Sequence, residues 1–224
     1  MKKGKLIVID GLDGSGKATQ TKLLIKNLKK NNYKTATIDF PQYSLFFGQM
    51  VKRYLKGEFG KLKNVNPYLC SILYATDRWQ NKNKIEKWLK QGKIVICDRY
   101  VSANQIHQTS KLKTKKEKQN FLEWLNKLEF EIFKIPKPDL ILFLNVPCKI
   151  SQKLIKNKKD KDIHETNLSH QIAAQKQSLE LVKKISNWKE INCVENNKIL
   201  SKEIISEKIW QTLFVGANDY SPLR

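Results

Sequence analysis

The sequence has few of the side chains that build disulfide frameworks or metal cages, with four cysteines and three histidines in 224 residues. Cys70, Cys97, Cys148 and Cys193 are scattered and form no Cys-x-x-Cys pair, and the histidines do not cluster. Structural zinc sites and disulfide-rich secreted domains need closely spaced ligands or paired cysteines. We therefore expect neither a metal cage nor disulfide bridges, and we expect thiols that stay reduced in the cytoplasm.

Long hydrophobic runs are also missing. Apolar residues make up 40% of the chain, but they come in short runs such as 6–9, 94–97 and 140–144, well below the ~18 needed to cross a membrane. The N-terminus is basic, yet the apolar stretch behind it ends at Asp10, which is too early for a signal peptide. The sequence therefore predicts a cytoplasmic protein with no membrane span and no export signal.

Arginine is scarce, although the chain is strongly basic. Lys and Arg together number 43 against 21 Asp and Glu, a formal charge of +22, but arginine occurs only at Arg53, Arg78, Arg99 and Arg224. The lysines are spread over nearly every segment, which indicates a general compositional bias. Such a charge is also typical of nucleic-acid-binding proteins, so this alternative stays open. Where lysine is the default cation, an arginine indicates a need for its rigid, bidentate guanidinium.

Apolar, β-rich runs alternate with longer amphipathic segments, which is the pattern of a parallel sheet covered by helices. The predicted strands are residues 6–10, 35–39, 93–98, 139–145 and 190–193. The predicted helices are residues 19–30, 67–91, 115–133, 168–186 and 201–214. We expect one α/β domain over residues 1–224, with a five-stranded parallel sheet and helices on both faces. Residues 153–162 are too polar and charged to pack, and they predict a short basic lid at about 150–165.

A glycine-rich loop, GLDGSGKAT at residues 11–19, directly follows the first predicted strand. Its spacing matches the phosphate-binding loop, in which backbone N–H groups and a helix N-terminus hold an anion. The residues expected to bind ATP here are Gly11, Gly14, Ser15, Gly16, Lys17, Ala18 and Thr19. Lys17 is predicted to reach the β- and γ-phosphates. Ala18 departs from the pattern, because the usual Ser or Thr there is a magnesium ligand, so we expect Mg²⁺ to rely on carboxylates and water.

The third predicted strand ends in an acid followed by an arginine, Asp98 and Arg99. P-loop enzymes place a carboxylate beside the metal at the carboxyl edge of the sheet, so Asp98 is the predicted metal ligand. Arg99 is expected to face a phosphate of the acceptor or the charge that develops during transfer. The alternative is an exposed Asp-Arg pair at a strand end, which is common in isolation.

Four segments together resemble the thymidylate kinase family: residues 13–20, 40–43 (FPQY), 74–78 (YATDR) and 98–104 (DRYVSAN). The resemblance is dense over about residues 6–110 and weaker beyond, where the lid motif 162–165 and the loop 193–198, at the family's adenine site, match it loosely. It implies a P-loop kinase that transfers the γ-phosphoryl group of ATP to dTMP, giving dTDP and ADP. It also implies a homodimer.

The resemblance assigns several side chains to dTMP. They are Asp13, Tyr43, Arg53, Tyr74, Arg78, Arg99, Asn104 and His107. Tyr74 is expected to stack on thymine, while Arg78, on the same helical face, donates to its O4. Asn104 suits the N3 and O2 edge of the base, because it offers both a donor and an acceptor.

The same resemblance gives the sugar and phosphate their partners. Asp13 is expected to accept a hydrogen bond from the 3′-hydroxyl and to lie near the metal, and His107 to lie at the ribose 2′ position. Arg53, Arg99 and the hydroxyl of Tyr43 are expected to bind the acceptor phosphate. A solvated helix face is the alternative for Arg53, and an ordinary surface or turn histidine is the alternative for His107. The predicted catalytic residues are Lys17, Asp98, Arg99 and Asp13.

The lid and the substrate leave further alternatives. The lid contains no arginine, so we expect lysines such as Lys158 and Lys159 to carry positive charge to ATP, unless the lid is only a solvated basic loop. Uracil lacks only the methyl group of thymine, worth about 1–3 kcal/mol in a pocket, so a kinase for dUMP or another pyrimidine nucleotide is possible. A basic nucleic-acid-binding P-loop protein is the alternative from another class.

Overall fold

The computed structural model describes residues 3–61, 64–154 and 167–214. Five parallel strands form its central sheet: β1 (Lys5–Gly11), β2 (Thr35–Asp39), β3 (Ile94–Asp98), β4 (Leu140–Asn145) and β5 (Trp188–Asn192). Their order across the sheet is β2-β3-β1-β4-β5. The five-stranded parallel α/β fold predicted from the sequence is therefore confirmed.

Helices follow the strands along the chain. They are α1 (Lys17–Lys30), α2 (Phe46–Leu55), α3 (Pro67–Gln80), α4 (Lys82–Lys90), α5 (Val101–His107), α6 (Lys115–Asn126), α7 (Cys148–Leu154), α8 (Leu168–Lys184) and α9 (Lys202–Phe214). A 3-10 turn at Thr109–Lys111 follows α5, and a π-helical turn at Lys127–Ile132 follows α6. Two short antiparallel strands, β6 (Val194–Glu195) and β7 (Lys198–Ile199), precede α9.

The sheet has a hydrophobic core on each face. Leu6 and Val8 of β1 pack in one core with side chains of α4, α5, α6 and α8, whereas Ile7 and Ile9 pack in the other with α1 and α9. Successive strand side chains point to opposite faces, so a strand covered on both sides must be apolar throughout. This explains the continuous apolar run at the start of the chain.

Local sequence signals fix the starts of two helices that border the site. Asn66 caps α3 by accepting a hydrogen bond from the Tyr68 N–H at 2.8 Å, and Pro67 occupies the first turn, where its missing N–H costs nothing. Thr114 and Glu117 form a reciprocal capping box at the start of α6. These caps hold the helices that carry Tyr74, Arg78 and the turn after α6.

The structure corrects several predicted helices. The single helix expected at 67–91 is divided at Asn81, whose side chain donates to the Asp77 carbonyl at 2.9 Å. The helix expected at 115–133 stops being α-helical at Asn126 and continues as the π turn. Helices α5 and α7 were not expected, whereas α2 contains the helix that was expected around Arg53. Most of the predicted lid, residues 155–165, lies outside the described residues.

Two global features bear on the class of protein. Across the described ranges, no helix has the length and apolar character required to span a bilayer. The four cysteines are buried and carry no disulfide bond.

Candidate active site

A cavity of about 410 Å³ lies at the carboxyl edge of the sheet, between the phosphate loop, the ends of β2 and β3, and helices α3 and α5. Open α/β sheets bind ligands at this edge. Thirteen residues predicted from the sequence line it: Asp13, Gly14, Gly16, Lys17, Ala18, Thr19, Tyr43, Tyr74, Arg78, Asp98, Arg99, Asn104 and His107. The structure therefore brings residues predicted to bind the donor, ATP, and residues predicted to bind the acceptor, dTMP, to one place.

The phosphate loop depends on glycines at its turns. Gly14 and Gly16 have φ values of 80° and 88°, in the left-handed region that favours glycine, and Gly16 caps α1. Gly11 is needed for a close approach, because a Cβ there would meet the Ser15 hydroxyl oxygen at 2.5 Å. Gly11 and Ser15 are not among the residues that line the cavity, although both shape the loop.

Lys17 lies folded into this loop. Its Nζ donates to the carbonyl oxygens of Gly11 and Leu12, both at 2.9 Å, and lies 3.9 Å from Oδ1 of Asp13. Burial lowers the pKa of Lys17, and Arg99 acts in the same direction, while nearby carboxylates oppose the shift. The two backbone carbonyls are neutral acceptors, so the ammonium of Lys17 loses little when it leaves them. It can therefore turn toward an arriving phosphate.

Arg99 occupies the turn after β3. Its φ is 64°, and its backbone N–H donates to the Ile9 carbonyl at 3.0 Å, which fixes the turn to the sheet. Its guanidinium forms a salt bridge with Asp13. Gln171 of α8 contacts the other oxygen of Asp13 at 3.4 Å. The Asp13 carboxylate is thus held between Lys17, Arg99 and Gln171.

Two carboxylates end neighbouring strands at the cavity. Asp39 of β2 is paired in register with Asp98 of β3, and both line the cavity. Burial raises the pKa of Asp98, while Lys17 and Arg99 oppose that shift. Asp39 was not predicted from the sequence as a site residue, although an acid at the end of a neighbouring parallel strand was a usable signal.

The donor set fits a magnesium ion that arrives with a nucleotide. Carboxylate oxygens are ligands that Mg²⁺ prefers, and Mg²⁺ usually keeps several waters and binds through one or two carboxylates plus substrate phosphates. Within the described part of the chain, no group of three or more His, Cys, Asp or Glu side chains could hold a metal by itself. Asp98 and the neighbouring Asp39 fit a Mg²⁺ ion that is bound jointly by the protein, substrate phosphates and water. They do not fit an ion that is enclosed by protein ligands alone.

The base side of the cavity is built by α3. Tyr74 and Arg78 lie one turn apart on this helix, and the ring of Tyr74 meets Tyr54 edge-on, with ring centroids 6.2 Å apart. The Arg78 guanidinium binds both carboxylate oxygens of Glu129 and donates to the Tyr100 carbonyl at 3.3 Å. Burial acts to lower the pKa of Arg78, but Glu129 outweighs it, so the arginine stays charged.

Helix α5 contributes Asn104 and His107. The Asn104 amide donates to the Ser71 carbonyl at 3.2 Å, which orients its side chain toward α3. The rings of His107 and His170 lie 5.6 Å apart. Burial lowers the pKa of His107 well below its usual range and lowers that of His170 to about 4, so both rings are neutral at pH 7.

The remaining predicted residues lie apart from the cavity or outside the described residues. Arg53 is exposed and binds Glu58, with Nε 2.6 Å from Oε2, and it is not among the residues that line the cavity. Lys158 and Lys159 lie outside the described residues. Besides Asp39, the sequence reasoning missed Glu129, Tyr100 and Leu55, of which the last two line the cavity.

Comparison with known proteins identifies the family. The thymidylate kinase family model matches residues 9–204. The thymidylate kinase of Plasmodium falciparum (isolate 3D7) is 31% identical over 209 residues, which cover 92% of this chain and 90% of that protein. The thymidylate kinase of Homo sapiens is 30% identical over 146 residues, which cover 65% of this chain and 62% of the human protein.

A solved structure shows the same fold. Thymidylate kinase from Candida albicans superposes with a TM-score of 0.75 at 23% identity, covering 97% of this chain and 96% of that one. The family match spans most of the chain and includes the phosphate loop, the Asp98–Arg99 pair and α3. The chain therefore belongs to the thymidylate kinase family of ATP-dependent kinases.

Proposed function

We propose that the cavity at the sheet edge binds dTMP beside the phosphate loop, and that the side chains there carry out transfer of the γ-phosphoryl group of ATP. The enzyme phosphorylates dTMP to dTDP and releases ADP. The observation that carries the assignment of the site is that a phosphate loop, an acid-arginine pair and a Tyr74–Arg78 face line one cavity. Family membership and this geometry support the same reaction.

On the donor side, the loop and Lys17 hold the terminal phosphates of ATP. Asp98, with Asp39 beside it, would hold the Mg²⁺ that accompanies ATP, and the ion would neutralise charge on the phosphates. Lys17 has to exchange the carbonyl oxygens of Gly11 and Leu12 for phosphate oxygens. This exchange replaces neutral acceptors with charged ones, so it is favourable.

On the acceptor side, Arg99 and Asp13 act together. A phosphate of dTMP placed near Arg99 competes with Asp13 for the guanidinium, which is 23% exposed and can turn toward it. Asp13, once released, accepts from the 3′-hydroxyl of the sugar. The acceptor oxygen of dTMP is already anionic, so transfer needs alignment and charge stabilisation and no general base.

The base is selected by hydrogen-bonding groups that are already oriented. Arg78 donates to O4 of thymine, Tyr74 stacks on the ring, and Asn104 faces the N3 and O2 edge. His107 is proposed to face the ribose 2′ position and Tyr43 the phosphate; that both line the cavity supports these roles. Arg53 stays a prediction that needs its bond to Glu58 to break.

Exposed apolar side chains on α2 and α3, among them Phe46, Ile72 and Trp79, support a homodimer formed through these helices. Light scattering measures the mass directly, and an Ile72→Lys variant should shift a dimer toward the monomer mass.

A cytoplasmic location stays a prediction from the sequence, as does a single domain over residues 1–224.

A coupled ADP-release assay tests the function. The purified chain is given ATP, Mg²⁺ and, in separate reactions, dTMP, dUMP, dCMP, AMP and GMP. We expect the highest kcat/KM with dTMP, weaker turnover of dUMP, and little with the others. A preference for dCMP or for a purine would contradict the assignment of the base site. DNA binding with a steep salt dependence and no kinase activity would favour the nucleic-acid-binding alternative instead.

A further inference from the structure

We propose that Glu129 is a positioning residue for base selection, which holds the Arg78 guanidinium so that only N–H donors face the base. Glu129 lies in the π turn after α6, 51 residues from Arg78 along the chain. This inference rests on one step of the proposed function, the contact between Arg78 and O4 of thymine.

The pair is completely enclosed. Arg78 is 1% exposed and Glu129 0%. Nε of Arg78 donates to Oε2 of Glu129 at 2.9 Å, one terminal nitrogen donates to Oε1, and the other donates to the Tyr100 carbonyl at 3.3 Å. A guanidinium has five N–H donors, so these three bonds leave the second N–H of each terminal nitrogen for a ligand. Arg78 lines the cavity, so in the proposed complex these two N–H groups are the donors it has left to offer a base.

The π turn presents Glu129 to this pair. The Ile135 N–H donates to the Glu129 carbonyl at 3.0 Å, and the neighbouring acid Glu131 stays exposed. A π turn changes which side chains face inward relative to a continuing α-helix, and such turns recur at functional sites. The turn thus places one of its two acids, Glu129, in the interior and leaves Glu131 in solvent.

Stability alone is a weak reason for this arrangement. Removing two charges from water costs several kcal/mol per ion, and well-packed apolar replacements of a buried ion pair are often neutral or stabilising. Burial raises the pKa of Glu129, which shows that cost, while the guanidinium of Arg78 opposes it. The ion pair holds a fixed guanidinium beside the cavity, which an apolar pair could not supply.

The chemistry of the base makes the fixed orientation useful. Thymine presents an acceptor at O4, whereas cytosine presents an amino donor at the corresponding position. Arginine has donors only, and both oxygens of Glu129 are used by Arg78. A cytosine amino group would therefore face N–H donors with no acceptor.

The first test replaces Glu129 by Gln and measures KM and kcat for dTMP and dCMP. The amide keeps the shape but offers one acceptor in place of two, so Arg78 is held by fewer bonds. We expect the dTMP to dCMP ratio of kcat/KM to fall by roughly tenfold or more, mainly through a higher KM for dTMP. kcat at saturating dTMP and KM for ATP should change less than about twofold. The matched control is Glu131→Gln, the same change two residues later on the exposed side, which should leave all values unchanged.

The second test asks whether Glu129 acts through Arg78. In an Arg78→Met background, adding Glu129→Gln should leave the dTMP to dCMP ratio where Arg78→Met alone puts it. The proposal is overturned if Glu129→Gln lowers the melting temperature but keeps the parental ratio, or if its effect on the ratio is as large without Arg78. If Glu129→Gln does not fold, Glu129→Asp keeps the charge but is too short to hold both nitrogens, and the same criteria apply to it.

The Arg78→Met variant separates the base contact from the positioning role of Glu129. If Arg78→Met keeps the parental ratio while dTMP is still phosphorylated, the base contact in the proposed function is wrong and the role of Glu129 falls with it. If Arg78→Met changes the ratio and the Glu129 variants do not, only the positioning role is wrong.

Discussion

Replacing Lys17 by Met is the most direct test of the donor side, because it removes the charge and keeps most of the side-chain volume. Loss of one electrostatic contact to a reacting group typically lowers kcat by about 10²–10³, or ~2.7–4 kcal/mol of transition-state stabilisation. We expect a loss of this size. The effect on folding should be much smaller, and the structure indicates why.

Two opposing terms set the stability of the Lys17→Met variant. The carbonyls of Gly11 and Leu12 lose a donor, which costs on the order of 1 kcal/mol each. In return, a buried ammonium is removed, and burial is the main cause of the lowered pKa of Lys17. We therefore expect the free energy of unfolding to change by less than about 2 kcal/mol.

The assay is steady-state ADP release at saturating dTMP, with the melting temperature measured on the same preparation. The control is Lys22→Met, an exposed lysine five residues later on α1, which should keep parental kcat. A Lys17→Met variant with near-parental kcat and an unchanged melting curve would refute the assignment. A variant that is inactive only because it is unfolded would refute the stability argument.

Three further predictions concern the metal, the lid and pH. Asp98→Asn should lower kcat by about 10² and raise the Mg²⁺ concentration needed for half-maximal rate, with the fold retained by circular dichroism. Changing Lys158, Lys159 and Lys161 together to Gln should lower kcat more than it raises KM for dTMP, because contacts from the lid predicted from the sequence would form mainly in a closed complex; unchanged kcat would make that lid only a cover. The pKa of His170 is about 4 in the folded protein against 6.5 in the unfolded chain. The unfolded chain therefore takes up a proton first as pH falls. The free energy of unfolding keeps its full value above pH 6.5 and falls by up to about 3 kcal/mol as pH falls toward 4. His170→Gln should make the melting temperature depend less on pH between those values. An unchanged pH dependence would show that other groups cause it.

The sequence predicted the architecture because its signals were strong and local. A buried apolar run, a glycine loop and a helix in succession leave few alternatives, and all five strands were found with small errors at their ends. The short helix Val101–His107 was missed, because seven residues are too few to show a helical period. At the break between α3 and α4, the Asn81 side chain donates to the Asp77 carbonyl, and the apolar pattern across this position does not show the break.

The residues missed at the site have a different cause. Glu129 lies in a charged segment that has the pattern of a solvated helix face, and the π turn that directs it inward has no sequence signature. Its partner, Arg78, was predicted as a ligand of the base, but its bonds within the chain could not be predicted. Contacts between residues 51 positions apart depend on how the helices pack.

The scarcity of arginine acquires a structural explanation when these bonds are compared. Arg78 and Arg99 each bind a carboxylate of the chain, Glu129 and Asp13 respectively. A lysine could not bind two oxygens in a fixed plane, so replacement by the common cation of this chain would lose the orientation at Arg78. The two arginines differ in exposure, however, at 1% for Arg78 and 23% for Arg99. An enclosed guanidinium with three bonds is suited to identify a base without moving, whereas a partly exposed one can exchange Asp13 for an arriving phosphate. In the proposed mechanism, arginine therefore has two roles: a fixed ligand of the base at Arg78 on α3, and a movable phosphate ligand at Arg99 after β3.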